Sequence, residues 1–161
     1  MFFFTNFENM TLSASKSKVC FFFQDAKASL TDRINLKKHI RFIFNNEGKK
    51  LESLNYIFCT DIALLEINRK YLKHDFYTDI ITFDLSETET VRAEIYISLD
   101  RVRENALKLG ISFKSELHRV IFHGILHLCG YNDKTIAEKK KIREKEDYYL
   151  NKYNLRLSSS S

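Results

Sequence analysis

HGILHLCGYND, residues 123 to 133, decides how this chain is read. His123 and His127 stand four apart in an apolar run, and a Gly-Tyr-Asn-Asp turn follows. On a helix the two imidazoles leave from one side, about 40° apart. Val120 shares that side, Leu117, Ile121 and Leu128 take a neighbouring sector, and Phe122, Ile125 and Leu126 fill the far side. A helix this apolar reads as buried on most faces. Burial disfavours charged imidazole and leaves both rings in need of partners. One cation between them would satisfy both, and His at i and i+4 is the spacing with which a single helix binds zinc. Gly130 suits a left-handed helix end that turns the chain back, and Asp133 is then the first strong ligand available. His123, His127 and Asp133 are therefore the candidate metal ligands, with a fourth position open to water. The alternative is a pair of ordinary core histidines, each hydrogen-bonded to backbone or a carboxylate. Gly124 stands where H-E-x-x-H proteases carry their glutamate base, which speaks against peptide hydrolysis.

Working outward, FKSELHRVIFHGILHLCGY (113–131) is the central helix, followed by a charged helix over 135–154. Within the latter, AEKKKIREKE reads as ordinary exposed helix with charges in i,i+4 register. Upstream, LDRVRENALKLG carries Asp100 as its candidate cap and Gly110 as its end. VCFFFQ (19–24), LESLNYIFCT (51–60), DIITFDLSE (79–87) and VRAEIYISL (91–99) read as strands, the last two as a hairpin. Between them lie a helix within 29–48, capped by Thr31 or Asp32 and stopped at Gly48, and DIALLEINRKYL (61–72), capped by Asp61. The order β-α-β-α-β-β-α-α-α predicts one compact α/β (α+β) domain, a mixed sheet of about four strands covered by helices.

The 161 residues suit one core of ordinary size. Hydrophobic residues at 44% and charged residues at 29% exclude disordered and fibrous classes, and no apolar run is long enough to span a membrane. The net charge of +5 tolerates a polyanionic partner without demanding one. Cys20, Cys59 and Cys129, odd in number and unpaired in spacing, read as free thiols in a reducing cytoplasm. Residues 1–17 read as a loosely held extension without the features of a signal peptide, and Met10 offers an alternative start. Residues 18–156 form the domain, and 157–161 a polar tail.

HGILHLCGYND resembles the HGxLHLxGYDH signature of the bacterial YbeY family of metal-dependent endoribonucleases. YTDIITFDL (77–85), AEIYISLDRV (93–102) and INRKYLKHD (67–75) resemble further family segments in the same order, so the similarity spans roughly 19–154. The resemblance implies a cytoplasmic hydrolase with one divalent ion, zinc foremost, and a zincin-like metal helix. It implies cutting of single-stranded RNA, maturation of the 3′ end of 16S ribosomal RNA on the small subunit, and ribosome quality control. Two departures stand out. The family's third histidine is Asp133 here, a shorter and anionic ligand that tolerates harder ions such as manganese or magnesium. The family's phosphate-facing arginine aligns with Leu72, leaving Arg69 as the candidate catalytic cation and Lys73 or His74 as candidate RNA contacts.

Other residues read more blandly. The proton-handling group is not singled out: Glu116 shares the histidine face but two turns away and reads as structural, while Asp79 and Glu94, conceivable through the resemblance, read first as capping or hydrogen-bonding groups. Lys37, Lys38, Arg41, Lys49 and Lys50 could track phosphate, and Tyr71, Phe76 and Tyr77 could stack on unpaired bases, but a solvated face and core packing are the preferred readings. Two competing functions remain: a ribosome- or RNA-binding module with a structural metal, and, disfavoured by Gly124, a metalloprotease.

Overall fold

The computed structural model describes residues 18–159, so the extension at 1–17 and the last two serines lie outside the described residues. The four expected strands are β1 (Lys18–Phe23), β2 (Lys50–Cys59), β3 (Ile80–Asp84) and β4 (Thr90–Ser98). They form one mixed sheet in the order β1-β2-β4-β3, parallel from β1 through β4, with β3 antiparallel at the edge. The β3–β4 pair is the expected hairpin. The helices are α1 (Arg33–Asn46), α2 (Asp61–Ile67), α3 (Leu99–Leu109), α4 (Phe113–Leu128) and α5 (Ile136–Ser159). α5 runs through Ser159, three residues into the stretch read as tail.

Two helix starts differ from expectation for one reason: a hydroxyl sits just ahead of each aspartate. Thr60 Oγ1 accepts from the Ala63 amide at 3.3 Å, and Ser98 Oγ from the Arg101 amide at 3.2 Å. These are the caps, not Asp61 and Asp100. Asp61, freed from capping, takes the Arg101 guanidinium at 3.0 Å and the Ser98 hydroxyl at 3.1 Å. The helix expected over 61–72 is α-helical only to Ile67 and then widens into a π turn, Asn68–Leu72. Buried Asn68 explains the change. Its side chain donates to the Phe76 carbonyl at 2.9 Å and its own carbonyl accepts from the His74 amide at 3.3 Å, pinning the loop beyond.

One sheet face buries Leu54, Tyr56, Phe58, Ile95 and Ile97 against residues such as Ile40, Ile121, Phe122, Ile125 and Tyr149. The other face carries a smaller cluster of Cys59, Leu64, Ile67 and Ile81. Gly124 permits the closest approach of α4 to the sheet: a Cβ there would stand 2.8 Å from Ile95 Cδ1 and 2.9 Å from Ile80 Cδ1. α5 is not exposed all round. Ile142, Glu146, Tyr149, Leu150 and Tyr153 form a buried stripe at helical spacing, which corrects the reading of AEKKKIREKE as wholly solvated. Among the described residues, no helix is long and apolar enough to cross a membrane, and all three cysteines are free.

Two histidines away from the 123–133 motif make stability pH-dependent. His39 and His118 are both buried, and burial pushes each from the ordinary 6.5 down to about 4. The unfolded chain binds more protons than the native one between those values, so stability rises with pH there. Their contribution is complete above about 6.5 and lost progressively as pH falls to about 4. Thermal melts should therefore drop steeply between pH 6.5 and 4. A flat melting temperature across that window would mean that both rings are solvated.

Candidate metal centre and its cleft

α4 starts at Ser112, whose hydroxyl accepts from the Ser115 amide at 3.1 Å. It ends as Gly130 anticipates. Gly130 has φ +98°, its amide donates to the His127 carbonyl at 3.0 Å, and the Tyr131 amide donates to the Leu126 carbonyl at 3.0 Å. This paired closure turns the chain back along the helix. It brings the Tyr131 carbonyl to 2.8 Å from His127 Nδ1 and swings Asp133 beside both rings.

The hydrogen bonds settle which ring nitrogens carry protons. A carbonyl only accepts, so His127 Nδ1–H donates to Tyr131. His123 Nδ1 lies 2.7 Å from Glu146 Oε1. Burial would raise the Glu146 pKa, but hydrogen bonds and charge from His123, together with Arg119 and Arg143, hold it below the usual carboxylate range. The ionised carboxylate accepts, so His123 Nδ1–H donates. In the neutral rings both Nε2 atoms then present lone pairs, and these atoms face each other at 2.8 Å. Asp133 Oδ2 lies 3.7 Å from His123 Nε2 and 3.5 Å from His127 Nε2. Three lone-pair donors thus converge within 4.8 Å of one another, a group that could hold a metal ion. Without a cation the conflict is relieved only by protonating a ring. Burial opposes that at His123, but the Glu146 hydrogen bond and the charges of Glu146, Asp79 and Asp133 together raise its pKa. The Asp133 side chain is 45% exposed against 21% and 28% for the rings, so the centre opens to solvent on the aspartate side.

Beside this centre runs a cleft of about 380 Å³ whose walls include Asn68, Leu72, His74, Phe76 and Asp79. His74 therefore reaches the cleft, stacked on Phe76 with ring centroids 5.1 Å apart. Leu72 also lines it, at the position of the family's arginine. Arg69 and Lys73 do not. Arg69 is held in an exposed ion pair with Asp75, and the Lys73 ammonium donates to the Lys70 carbonyl at 3.3 Å. Tyr71, Phe76 and Tyr77 are exposed rather than packed in the core, because the π turn and the pinned loop lift them off the sheet. Lys37, Lys38, Arg41, Lys49 and Lys50 line no part of the cleft. Glu94 accepts the Tyr96 hydroxyl at 3.0 Å, and Asp79 accepts from Asn105 at 3.3 Å while lining the cleft wall. Glu146 was missed because its neighbours are all charged. The signal was the stripe Ile142, Glu146, Tyr149 and Tyr153, which marks it as inward-facing.

Fold and ligand group together define an α+β domain with a candidate metal centre. The family model described as "Endoribonuclease YbeY" matches residues 21–154. Among curated relatives, the "Endoribonuclease YbeY" of Cytophaga hutchinsonii is 47% identical over 137 residues, covering 84% of this chain and 96% of the relative. That of Bacteroides thetaiotaomicron is 49% identical over 111 residues, covering 69% and 81%. The solution structure of TM1509 from Thermotoga maritima superposes with a TM-score of 0.61 at 28% identity, covering 88% of this chain and 93% of that one. The chain belongs to the endoribonuclease YbeY family.

Proposed function

We propose that this endoribonuclease holds one divalent cation, zinc foremost, on His123 Nε2, His127 Nε2 and Asp133, and cuts unpaired RNA there. Its setting is the cytoplasm, its substrate the 3′ end of 16S ribosomal RNA on the small subunit, and its wider role ribosome quality control. The observation that carries the metal reading is the pair of Nε2 lone pairs facing each other at 2.8 Å with a carboxylate beside them. A cation held by these three residues would supply a Lewis acid for a phosphodiester oxygen and would lower the pKa of a water molecule. The chain's own groups do the rest. Tyr131 and Glu146 keep both Nδ1 atoms protonated, so that both Nε2 atoms stay available. His74 and Phe76 give an unpaired base a stacking surface beside the centre. Leu72 makes the adjoining wall apolar, so phosphate charge must be met elsewhere. Asp133 adds negative charge, which makes bound water less acidic and favours harder ions than a third imidazole would.

The test is cleavage of end-labelled unstructured RNA by metal-replete protein, with chelator and then zinc, manganese or magnesium added back. Cleavage should stop with chelator and return with at least one ion. RNA left intact across the whole panel would overturn the reading. Glu146 gives a finer check. Glu146→Ala should weaken the metal about 10–100-fold, as loss of an outer-shell partner does, and Glu146→Gln, which can still accept from His123, much less. Competition against a chromogenic chelator measures both.

A further inference from the structure

A second cavity, of about 320 Å³, adjoins the first between α3, α4 and α5. Asp79 and His123 line both, so the two spaces meet at the metal centre. Its polar groups are not all used. The Glu116 side chain is 6% exposed, lines the cavity, and its Oε2 is buried without a hydrogen-bond partner. Arg119 Nε forms an ion pair with it at 3.8 Å, too long for a hydrogen bond, and is likewise buried without a hydrogen-bond partner. Arg119 is fixed by its other end, where Nη1 donates to Glu146 at 3.1 Å and Asp147 at 2.9 Å. A buried acceptor and a buried donor that lack hydrogen bonds, on two residues lining one space, favour a polar ligand between them. At the rim, Lys108 and Arg143 are mostly exposed; Lys108 is paired with Glu104 at 2.7 Å, whereas Arg143 is held more loosely, 3.7 Å from Glu146.

A ligand for this space needs a hydroxyl, which can donate to Glu116 and accept from Arg119, and an anionic group for the rim cations. A ribose with its phosphate offers both. We propose that this cavity is a ribonucleotide subsite, holding the sugar and phosphate of a nucleotide that flanks the scissile linkage. The proposal rests on the endoribonuclease reading above. Glu116 lies seven residues before His123, about 10 Å along α4, which places the subsite beyond the reacting linkage rather than on it. The 2′-hydroxyl is the group by which RNA differs from DNA, so Glu116 becomes a discriminator between them. Burial raises the Glu116 pKa, with the nearby Asp79 and Glu146 charges adding to the shift and Arg119 and Arg143 opposing it.

The experiment compares full-length wild type, Arg143→Ala, Glu116→Ala and Glu116→Gln on a fluorescein-labelled single-stranded RNA and its 2′-deoxy counterpart. Arg143→Ala should raise KM severalfold with kcat little changed, and lower the salt slope of log binding by about 0.7, the loss of one single-strand phosphate contact. Glu116→Ala should lose the preference for RNA over DNA in binding, and Glu116→Gln should keep most of it. Should the wild type leave RNA intact, the endoribonuclease reading fails by itself. The subsite is then read from anisotropy of the same uncut strand on protein as isolated. Wild-type affinity and salt slope in Arg143→Ala, together with an unchanged RNA preference in Glu116→Ala, would overturn the subsite. Arg143 is exposed, so its variant keeps the test valid even if Glu116→Ala fails to fold.

Discussion

His127→Ala should empty the metal centre and stop RNA cleavage while leaving a cooperatively folded domain. His127 gives one of the two facing Nε2 atoms, and without it a cation keeps only His123 and a half-exposed carboxylate. Losing an outer-shell partner already costs about 10–100-fold in affinity or activity, so loss of a direct ligand should exceed that range. The structural cost is smaller. The ring gives up its bond to the Tyr131 carbonyl, worth about 1 kcal/mol, and the backbone bonds that close α4 at Gly130 remain. For a chain of this size that is a fall of a few degrees in melting temperature. Metal content by mass spectrometry, cleavage rate and melting temperature, measured on one preparation, separate the competing functions. A ribosome-binding module with a structural metal predicts that the variant unfolds and that even the wild type cuts nothing. The endoribonuclease predicts a folded, metal-free, inactive variant. His74→Ala is the natural control, since it trims the cleft wall outside the ligand group and should keep both metal and fold.

The residues that could be read in advance are those whose role is written locally. His123, His127, Gly130 and Asp133 sit within eleven residues, and helix periodicity followed by one left-handed turn brings them together. The strand and helix order was equally accessible, because each β run either alternates or is a short apolar stretch and most helices carry a capping residue or a glycine stop. Glu146 was not accessible in that way. It reaches His123 from 23 residues away on another helix, and its neighbours in sequence carry the charges of a solvated face. Arg69 and His74 show the opposite difficulty. Their spacing on a regular helix would have favoured Arg69, but the π turn at Asn68 and the left-handed Lys73 change which side chains face the cleft. Glu116 could be placed on the histidine face from spacing alone. Whether its carboxylate had a hydrogen-bond partner depended on Arg119 being drawn to α5 by Glu146 and Asp147, which leaves Arg119 Nε 3.8 Å from Glu116, a tertiary fact.

Gly124→Glu rewrites 123–127 as H-E-x-x-H, and it should cost the fold rather than create a peptidase. A Cβ at 124 already meets Ile95 Cδ1 at 2.8 Å, Ile80 Cδ1 at 2.9 Å and Ile95 Cγ2 at 3.3 Å. The two δ-methyls are ends of side chains and can yield to one added carbon. Gly124→Ala therefore sets crowding of about 1–3 kcal/mol against about 1 kcal/mol gained in helix propensity, and should melt within several degrees of wild type. A glutamate must drive further atoms and a carboxyl between α4 and the sheet, where Ile95 is fully buried. Crowding and carboxyl desolvation together should exceed about 4 kcal/mol, a large share of the 5–15 typical of a domain. That corresponds to a loss of about 10 °C or more, or to no cooperative transition at all. Urea and thermal melts of both variants measure the contrast, with casein hydrolysis as the check on acquired activity. A Gly124→Glu protein melting with the wild type would mean that α4 can lift off the sheet, and the geometry that sets His123 and His127 at one centre would then be adjustable rather than fixed. Gly124 thus does for the fold what disqualifies it for proteolysis: its missing side chain lets the histidine helix lie directly on β3 and β4, with the rings turned away from the sheet and toward the turn that carries Asp133.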